Sequence, residues 1–329
     1  MNKIYKWGII GPGRIAKKFA AALALVPDAK LHAVASRDID KAKAFAEEFN
    51  APVYYGSYNE LANNTELDAV YIATPHTYHH AHALLCLKNR IPVLCEKPMS
   101  VDYASTLEMV NAARENNCFL MEAMWSRFLP IIIKTMELVK NGEIGEMKYL
   151  RADFGFVAPF NENSRLYNLA LGGGAQLDIG VYPMFLALLL MGKPDEIKTF
   201  SHLATTGADE TTNAVFYYKN GMMANILSSI VAQTPLTAEI SGTEGTIILD
   251  RPWYKGSQIQ VRKKDIITET ISLPYGDNGF EFQIQEVQQC ISTNKTESNL
   301  LPLDFSLLMS SVAEEICVAG GIRYPVQPA

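Results

Sequence analysis

Cysteine is scarce in this sequence and has no pairing pattern. Cys86, Cys95, Cys118, Cys290 and Cys317 are an odd number and form no CxxC pair. That argues against a disulfide framework and against thiolate zinc sites, and it suits a reducing compartment. Long apolar runs are lacking too: the longest, 184–191, falls well short of the ~20 residues of a spanning helix. Residues 1–7 lead straight into an apolar strand without a secretory-type segment, so the expected location is the cytoplasm, with no membrane partner. Basic clusters are few. The densest, Arg262-Lys263-Lys264, sits in a chain of net charge −6, which argues against a nucleic-acid partner. There is no internal repeat and no low-complexity segment.

What is there is an ordinary globular mixture, 48% apolar and 19% charged, over 329 residues, enough for two cores. Up to residue 122, short apolar strands (6–10, 31–35, 53–55, 69–73, 93–95, 119–121) alternate with helical stretches. Alternation implies parallel pairing with right-handed crossovers, and wholly apolar strands imply a sheet covered on both faces. The expectation is a Rossmann-type doubly wound domain over 1–122. From 123 to 329 strands follow one another, with Asn220-Gly221 as a hairpin signal, which predicts an α+β domain around a mostly antiparallel, open-faced sheet. The open face needs a cover, and a second copy of the chain is the expected one.

Gly11-Pro12-Gly13-Arg14-Ile15-Ala16 is a GxGxxA turn between the first strand and the first helix. Gly11 permits the tight turn, Gly13 lets a pyrophosphate approach the backbone, and Ala16 allows close helix packing. The phosphates then meet free N–H groups at a helix N-terminus. The second strand ends in Ser36-Arg37 rather than in an acidic residue, which suits the 2′-phosphate of NADP, although Asp38 stands next in line. Four of the six histidines fall at 76, 79, 80 and 82. No acidic or cysteine partner lies nearby, so no metal is expected. Thr74, Pro75, His76 and His79 are instead expected to border the nicotinamide. Glu96-Lys97-Pro98 ends the next strand at the same sheet edge. There Lys97 either engages a substrate oxygen or is a solvated lysine before a turn. Asp178 and Tyr182 are spaced i,i+4 on an otherwise apolar helix, and form either a proton-transfer pair or a satisfied core contact.

Taken in order and at their spacing, Gly11-x-Gly13-x-x-Ala16, Thr74-Pro75-x-x-x-His79, Glu96-Lys97-Pro98 and Gly172-Gly173-Gly174 with Asp178 resemble the glucose–fructose oxidoreductase/inositol dehydrogenase family over essentially the whole chain. Glu122-Ala123-Met124-Trp125-Ser126-Arg127-Phe128 and Asp178-Ile179-Gly180-Val181-Tyr182 look like its branch of dihydrodiol dehydrogenases and NADP-dependent D-xylose 1-dehydrogenases. Many relatives carry His where this chain has Tyr182, and Asn where it has His76. The resemblance implies a catalytic Lys97, a cis Lys97–Pro98 bond, a small polyol, sugar or diol substrate, and homodimerisation through the open sheet. On this reading Tyr182 is the base, Lys97 stabilises the alkoxide and Asp178 orients. Gly11, Gly13, Arg14, Ile15, Ala16, Ser36, Arg37, Thr74, Pro75, His76, His79, Glu96 and Lys97 meet NADP. Trp125, Arg127, Phe154 and Arg165 line the substrate pocket. A reductase acting on a keto- or anhydro-sugar, or a silent NADP-binding regulator, stands as the alternative.

Overall fold

The computed structural model describes residues 3–276 and 278–325. They form two compact units, 3–125 with 278–307, and 126–276 with 308–325.

In the first unit the chain runs β1 (Tyr5–Ile10), α1 (Arg14–Leu23), β2 (Ala29–Ala35), α2 (Ile39–Glu48), β3 (Val53–Tyr55), α3 (Tyr58–Ala62), β4 (Ala69–Ile72), α4 (His79–Lys88), β5 (Val93–Glu96), α5 (Tyr103–Glu115) and β6 (Leu120–Ala123). The strands are all parallel, in the order β3-β2-β1-β4-β5-β6. That is the doubly wound dinucleotide-binding order, with its switch point between β1 and β4. Every residue of β4, β5 and β6 is buried, as the apolar runs predict for a sheet covered on both faces. Ala16, Phe19, Ala20 and Leu23 form the buried stripe of α1. Phe19 stacks on Tyr71 of β4 and meets Trp7 of β1 edge-on, locking the helix to the strands that flank the switch point.

The second unit contains α6 (Pro130–Lys140), β7 (Met147–Gly155), α7 (Val181–Met191), β8 (Glu196–Leu203), β9 (Asp209–Tyr217), β10 (Met223–Ser229), β11 (Ala238–Gly242), β12 (Thr246–Leu249), β13 (Gln258–Lys263) and β14 (Ile266–Ser272). The eight strands are ordered β14-β13-β12-β11-β7-β10-β9-β8. All pairs are antiparallel except β7 with β10. Register explains the two faces. Ala214, Ile226, Ala152, Ala238, Leu249 and Ile259 fall in one cross-strand row, all buried, and α7 packs against β7 and β10. Three residues along, an odd step, the row of Tyr217, Met223 and Tyr149 is exposed on the opposite face.

The segment Leu169–Met191, 23 residues, is apolar and long enough by composition to span a bilayer, though its helical turns are interrupted at 172–174. Counting only the uninterrupted apolar run missed this length. Inside the second unit 89% of the most apolar window is buried, so the stretch serves as the core helix.

The chain closes with α8 (Glu281–Ser292) and α9 (Leu303–Ala319). Residues 278–307 belong to the first unit, so a single boundary at 122 does not describe the chain. Three hydrogen bonds show why. The Asn278 amide donates to Lys18 O (3.2 Å), the Gln288 amide to Asp28 O (3.3 Å), and Leu120 N to Thr296 O (3.1 Å).

Candidate functional site

The β1–α1 turn is built for an anion. Gly11 has φ +89°, and a Cβ there would meet Thr74 Cγ2 at 2.8 Å, so only glycine lets the turn lie against the β4 loop. A Cβ on Gly13 would project into open space, the room a pyrophosphate needs. Gly13 is the N-cap of α1 without a side-chain cap, and the first turn holds no acidic residue. The leading N–H groups therefore point at that space with the helix dipole behind them. Arg14 opens α1, with Ile15 half-buried and Ala16 fully buried beneath it.

At the end of β2, Ser36 Oγ accepts from Asp38 N (3.2 Å). Asp38 is the acidic residue that would mark an NAD-type ribose site, but it is engaged elsewhere. It caps α2, accepting from Asp40 N (3.2 Å) and Lys41 N (3.3 Å), and pairs with the Lys41 ammonium at 3.3 Å. The Lys41 amide and ammonium hold its carboxyl below the usual range. Arg37 is exposed, its guanidinium 5.6 Å above the Tyr78 ring. The residues fit NADP: a glycine cradle for the pyrophosphate, and a planar cation where a 2′-phosphate falls.

The four histidines take different partners. His80 Nε2 bonds Glu108 at 2.8 Å, and His82 Nδ1 bonds Thr74 Oγ1 at 3.0 Å. His76, in a short 3₁₀ turn after Pro75, is buried 5.7 Å from the His79 ring. His79 opens α4, directly after the β4 loop. Its ring is fully buried, with Nδ1 2.9 Å from Pro98 O and Nε2 2.8 Å from Thr74 O. Burial pushes its pKa down, against the pull of the two carbonyls. Its ring ties the β4 loop to the β5 turn, and both nitrogens are taken.

That β5 turn carries Lys97, half-buried, ahead of a cis bond to Pro98. Glu96 is buried and accepts from the Tyr71 hydroxyl. The Pro98–Met99 peptide group is held at both ends: His79 takes its carbonyl, and Glu122 Oε1 accepts its N–H at 3.0 Å. Glu122 reaches it because Cys95 pairs with Glu122 across β5 and β6. Burial pushes the Glu122 carboxyl up to about 7, eased by the Ser306 hydroxyl and the Met99 amide. Sequence reading gave Glu122 no role; its signal was an acidic residue in an otherwise apolar strand. Trp125, in this unit, stacks on Phe280 at 5.0 Å.

In the second unit Asp178 and Tyr182 do not share a regular α-helix. A π-turn, Gln176–Gly180, precedes α7, so the i,i+4 alignment expected from spacing is revised. Asp178 receives Arg165 bidentately, at 2.7 and 3.1 Å, which makes the carboxylate an anchor for that guanidinium. Tyr182 is buried in an aromatic group with Phe154 (5.5 Å) and Tyr254 (5.4 Å), and Phe154 stacks on Tyr254 at 4.1 Å. Burial raises the Tyr254 hydroxyl above its ordinary value. Arg127 is buried as well. Asp209 supports the π-turn. It accepts from Gln176 N (2.8 Å) and Thr212 Oγ1 (2.6 Å), and burial pushes it up to about 6. Gly174, at φ +122°, lies so close to Asp209 that a Cβ would collide with it. Tyr254 and Asp209 gave no sequence signal, because each reaches its group from a distant strand or loop.

Residues 5–124 match an oxidoreductase family with an NAD-binding Rossmann fold, and residues 132–248 match the GFO/IDH/MocA C-terminal domain. The trans-1,2-dihydrobenzene-1,2-diol dehydrogenase of Xenopus laevis is 36% identical over 97% of this chain and 99% of that protein. The Homo sapiens enzyme of that name is 33% identical over 97% and 98%. A 3-ketoreductase from Actinomadura kijaniata, solved with NADP and TDP-benzene, superposes with a TM-score of 0.88 at 26% identity, covering 97% of this chain and 98% of that one. With its glycine cradle, its Lys97 turn and both halves of its sequence matched, this chain belongs to the GFO/IDH/MocA family of oxidoreductases.

Proposed function

We propose that this chain is an NADP-dependent dehydrogenase or reductase that moves a hydride between the nicotinamide and a hydroxyl-bearing carbon of a diol or sugar. The observation that carries this reading is the carboxyl edge of the first sheet. It presents an uncapped glycine cradle, a cation in place of the acidic ribose residue, and a lysine on a turn clamped from both sides. The dihydrodiol dehydrogenase relatives support a diol substrate, and the ketoreductase likeness supports a keto-sugar reduced in the opposite direction.

Bound NADP supplies the hydride acceptor. The chain's residues manage the proton and the charge. Oxidation of a carbinol releases a hydride from carbon and a proton from oxygen, and in this reading Tyr182 takes the proton. A free phenol titrates near ~10, so it needs a nearby cation to act at neutral pH. Lys97 is the cation assigned to that task, and it stabilises the alkoxide as charge develops. Arg165 holds Asp178 fixed through two contacts, so Asp178 is assigned to orient rather than transfer. Trp125, Arg127 and Phe154 are assigned to the substrate wall. The exposed Tyr149–Met223–Tyr217 row is assigned to contact with a second copy. The free, buried cysteines are in keeping with a cytoplasmic setting.

The test is NADPH formation across a panel of trans-diols and aldoses, with Lys97→Met and Tyr182→Phe beside the parent. Each variant is expected to lose at least about a hundredfold in kcat while its NADPH affinity stays within a few-fold. A loss of only a few-fold in either variant would remove that residue from the mechanism.

A further inference from the structure

The aromatic residues after β4 form a column that neither the fold nor the reaction requires. The Tyr78 ring lies beneath the Arg37 guanidinium, 5.6 Å from its carbon, and stacks on His82 with centroids 6.0 Å apart and planes 18° apart. His82 is fixed on two further sides. Its Nδ1 bonds Thr74 Oγ1 at 3.0 Å, and the Tyr58 ring meets it edge-on at 4.4 Å. Tyr78 and His82 are half-buried, whereas Arg37 is exposed. The flexible cation thus rests on the outer end of a stack whose inner end is anchored in the domain.

We propose that Tyr78, backed by His82, is a specificity-determining residue for the 2′-phosphate of NADP, acting by holding the Arg37 guanidinium in place. This rests on the NADP reading above and adds to it a residue that makes no charged contact itself. An exposed arginine loses side-chain entropy when it grips a phosphate, and a guanidinium already lying on a ring has less to lose. The electron-rich face of the phenol also favours a cation above it. Burial holds the His82 pKa at about 4, so the ring behind Tyr78 is neutral at working pH and does not repel Arg37. The acidic neighbour is occupied as well, since Asp38 caps α2.

The experiment is a thermodynamic cycle on the full chain, read as Kd for NADPH and for NADH by nicotinamide fluorescence, so that no turnover is needed. Tyr78→Phe keeps the ring and is expected to leave both constants within twofold. Tyr78→Leu removes it and should weaken NADPH roughly two- to fivefold while NADH is unchanged, the range of an exposed cation–ring contact. In an Arg37→Leu background, Tyr78→Leu should add nothing. Equal losses for both cofactors, or a full Tyr78→Leu effect that persists without Arg37, would overturn the proposal. If Tyr78→Leu does not fold, Arg37→Lys keeps the charge but not the flat cation and should lower NADPH affinity by a similar factor. An unchanged NADPH-to-NADH ratio in Arg37→Lys would overturn it equally. If Arg37→Leu itself leaves that ratio unchanged, the NADP reading falls. If Arg37→Leu lowers it and Tyr78→Leu is silent, only the role of Tyr78 falls.

Discussion

Glu122→Gln tests whether a buried carboxyl under the Lys97 turn titrates near neutrality. Glu122 lies behind the Pro98–Met99 peptide, faced by Cys95 and Glu96 of β5, by Lys97 on the turn and by Ser306. Its midpoint moves from 4.5 to about 7, chiefly through burial. At ~1.4 kcal/mol for each tenfold change, ionising it in the folded chain costs about 3 kcal/mol more than in the unfolded chain. The sign follows from proton counting. Between pH 4.5 and 7 the folded state keeps a proton that the unfolded state has lost, so stability falls as pH rises and levels off above 7. Glutamine can still accept the Met99 N–H through its carbonyl but does not titrate. Urea unfolding of parent and variant at two pH values, about 5 and about 8, should therefore show the parent losing about 2–3 kcal/mol more than the variant. The Lys97 ammonium favours the ionised carboxylate, so Lys97→Met should shift the parent's decline to higher pH. Parallel pH profiles for parent and Glu122→Gln would refute the reasoning, because the carboxyl would then titrate alike in both states.

Three further outcomes are expected. Gly13→Ala should fold with unchanged thermal stability, because its Cβ meets nothing, yet weaken NADPH at least about tenfold by filling the pyrophosphate space; retained affinity in a binding titration would count against the cradle. Asp209→Asn should flatten the fall in stability between pH 3.8 and about 6, since the buried carboxyl keeps its proton in the folded chain across that window; denaturation curves showing an undiminished fall would exclude it. Met223→Glu, at the centre of the exposed Tyr149–Met223–Tyr217 row, should shift the chain toward monomer in sedimentation velocity without unfolding it; a dimer of undiminished strength would place the interface elsewhere.

Much of the fold could be read from local pattern. Apolar strands in alternation require a parallel sheet, and GxGxxA with its flanking elements places the cofactor turn at the β1–α1 junction. Consecutive strands with an Asn-Gly turn likewise require antiparallel pairing. What stayed hidden depended on partners distant in sequence or on where a helix starts. Asp38 looked like a competitor for the ribose because it stands next in line after Arg37; with α2 beginning at Ile39, the same carboxylate becomes its cap. His79 is placed at the cofactor edge because its loop follows the fourth strand. That its ring is also buried between two carbonyls, one of them 19 residues away, could not be read from local pattern. The π-turn is invisible to spacing rules, which assume one period along the helix, and its only trace is the glycine at 174 that admits Asp209.

The return of residues 278–307 to the first unit bears on how the protein is made. The outer edge of β6 is closed by the Thr296 carbonyl, and α1 is braced by Asn278. A ribosome must therefore pass residue 296 before the nucleotide fold is sealed. Until then an incomplete product exposes an unclosed strand edge, the condition in which nascent chains need a chaperone's shelter.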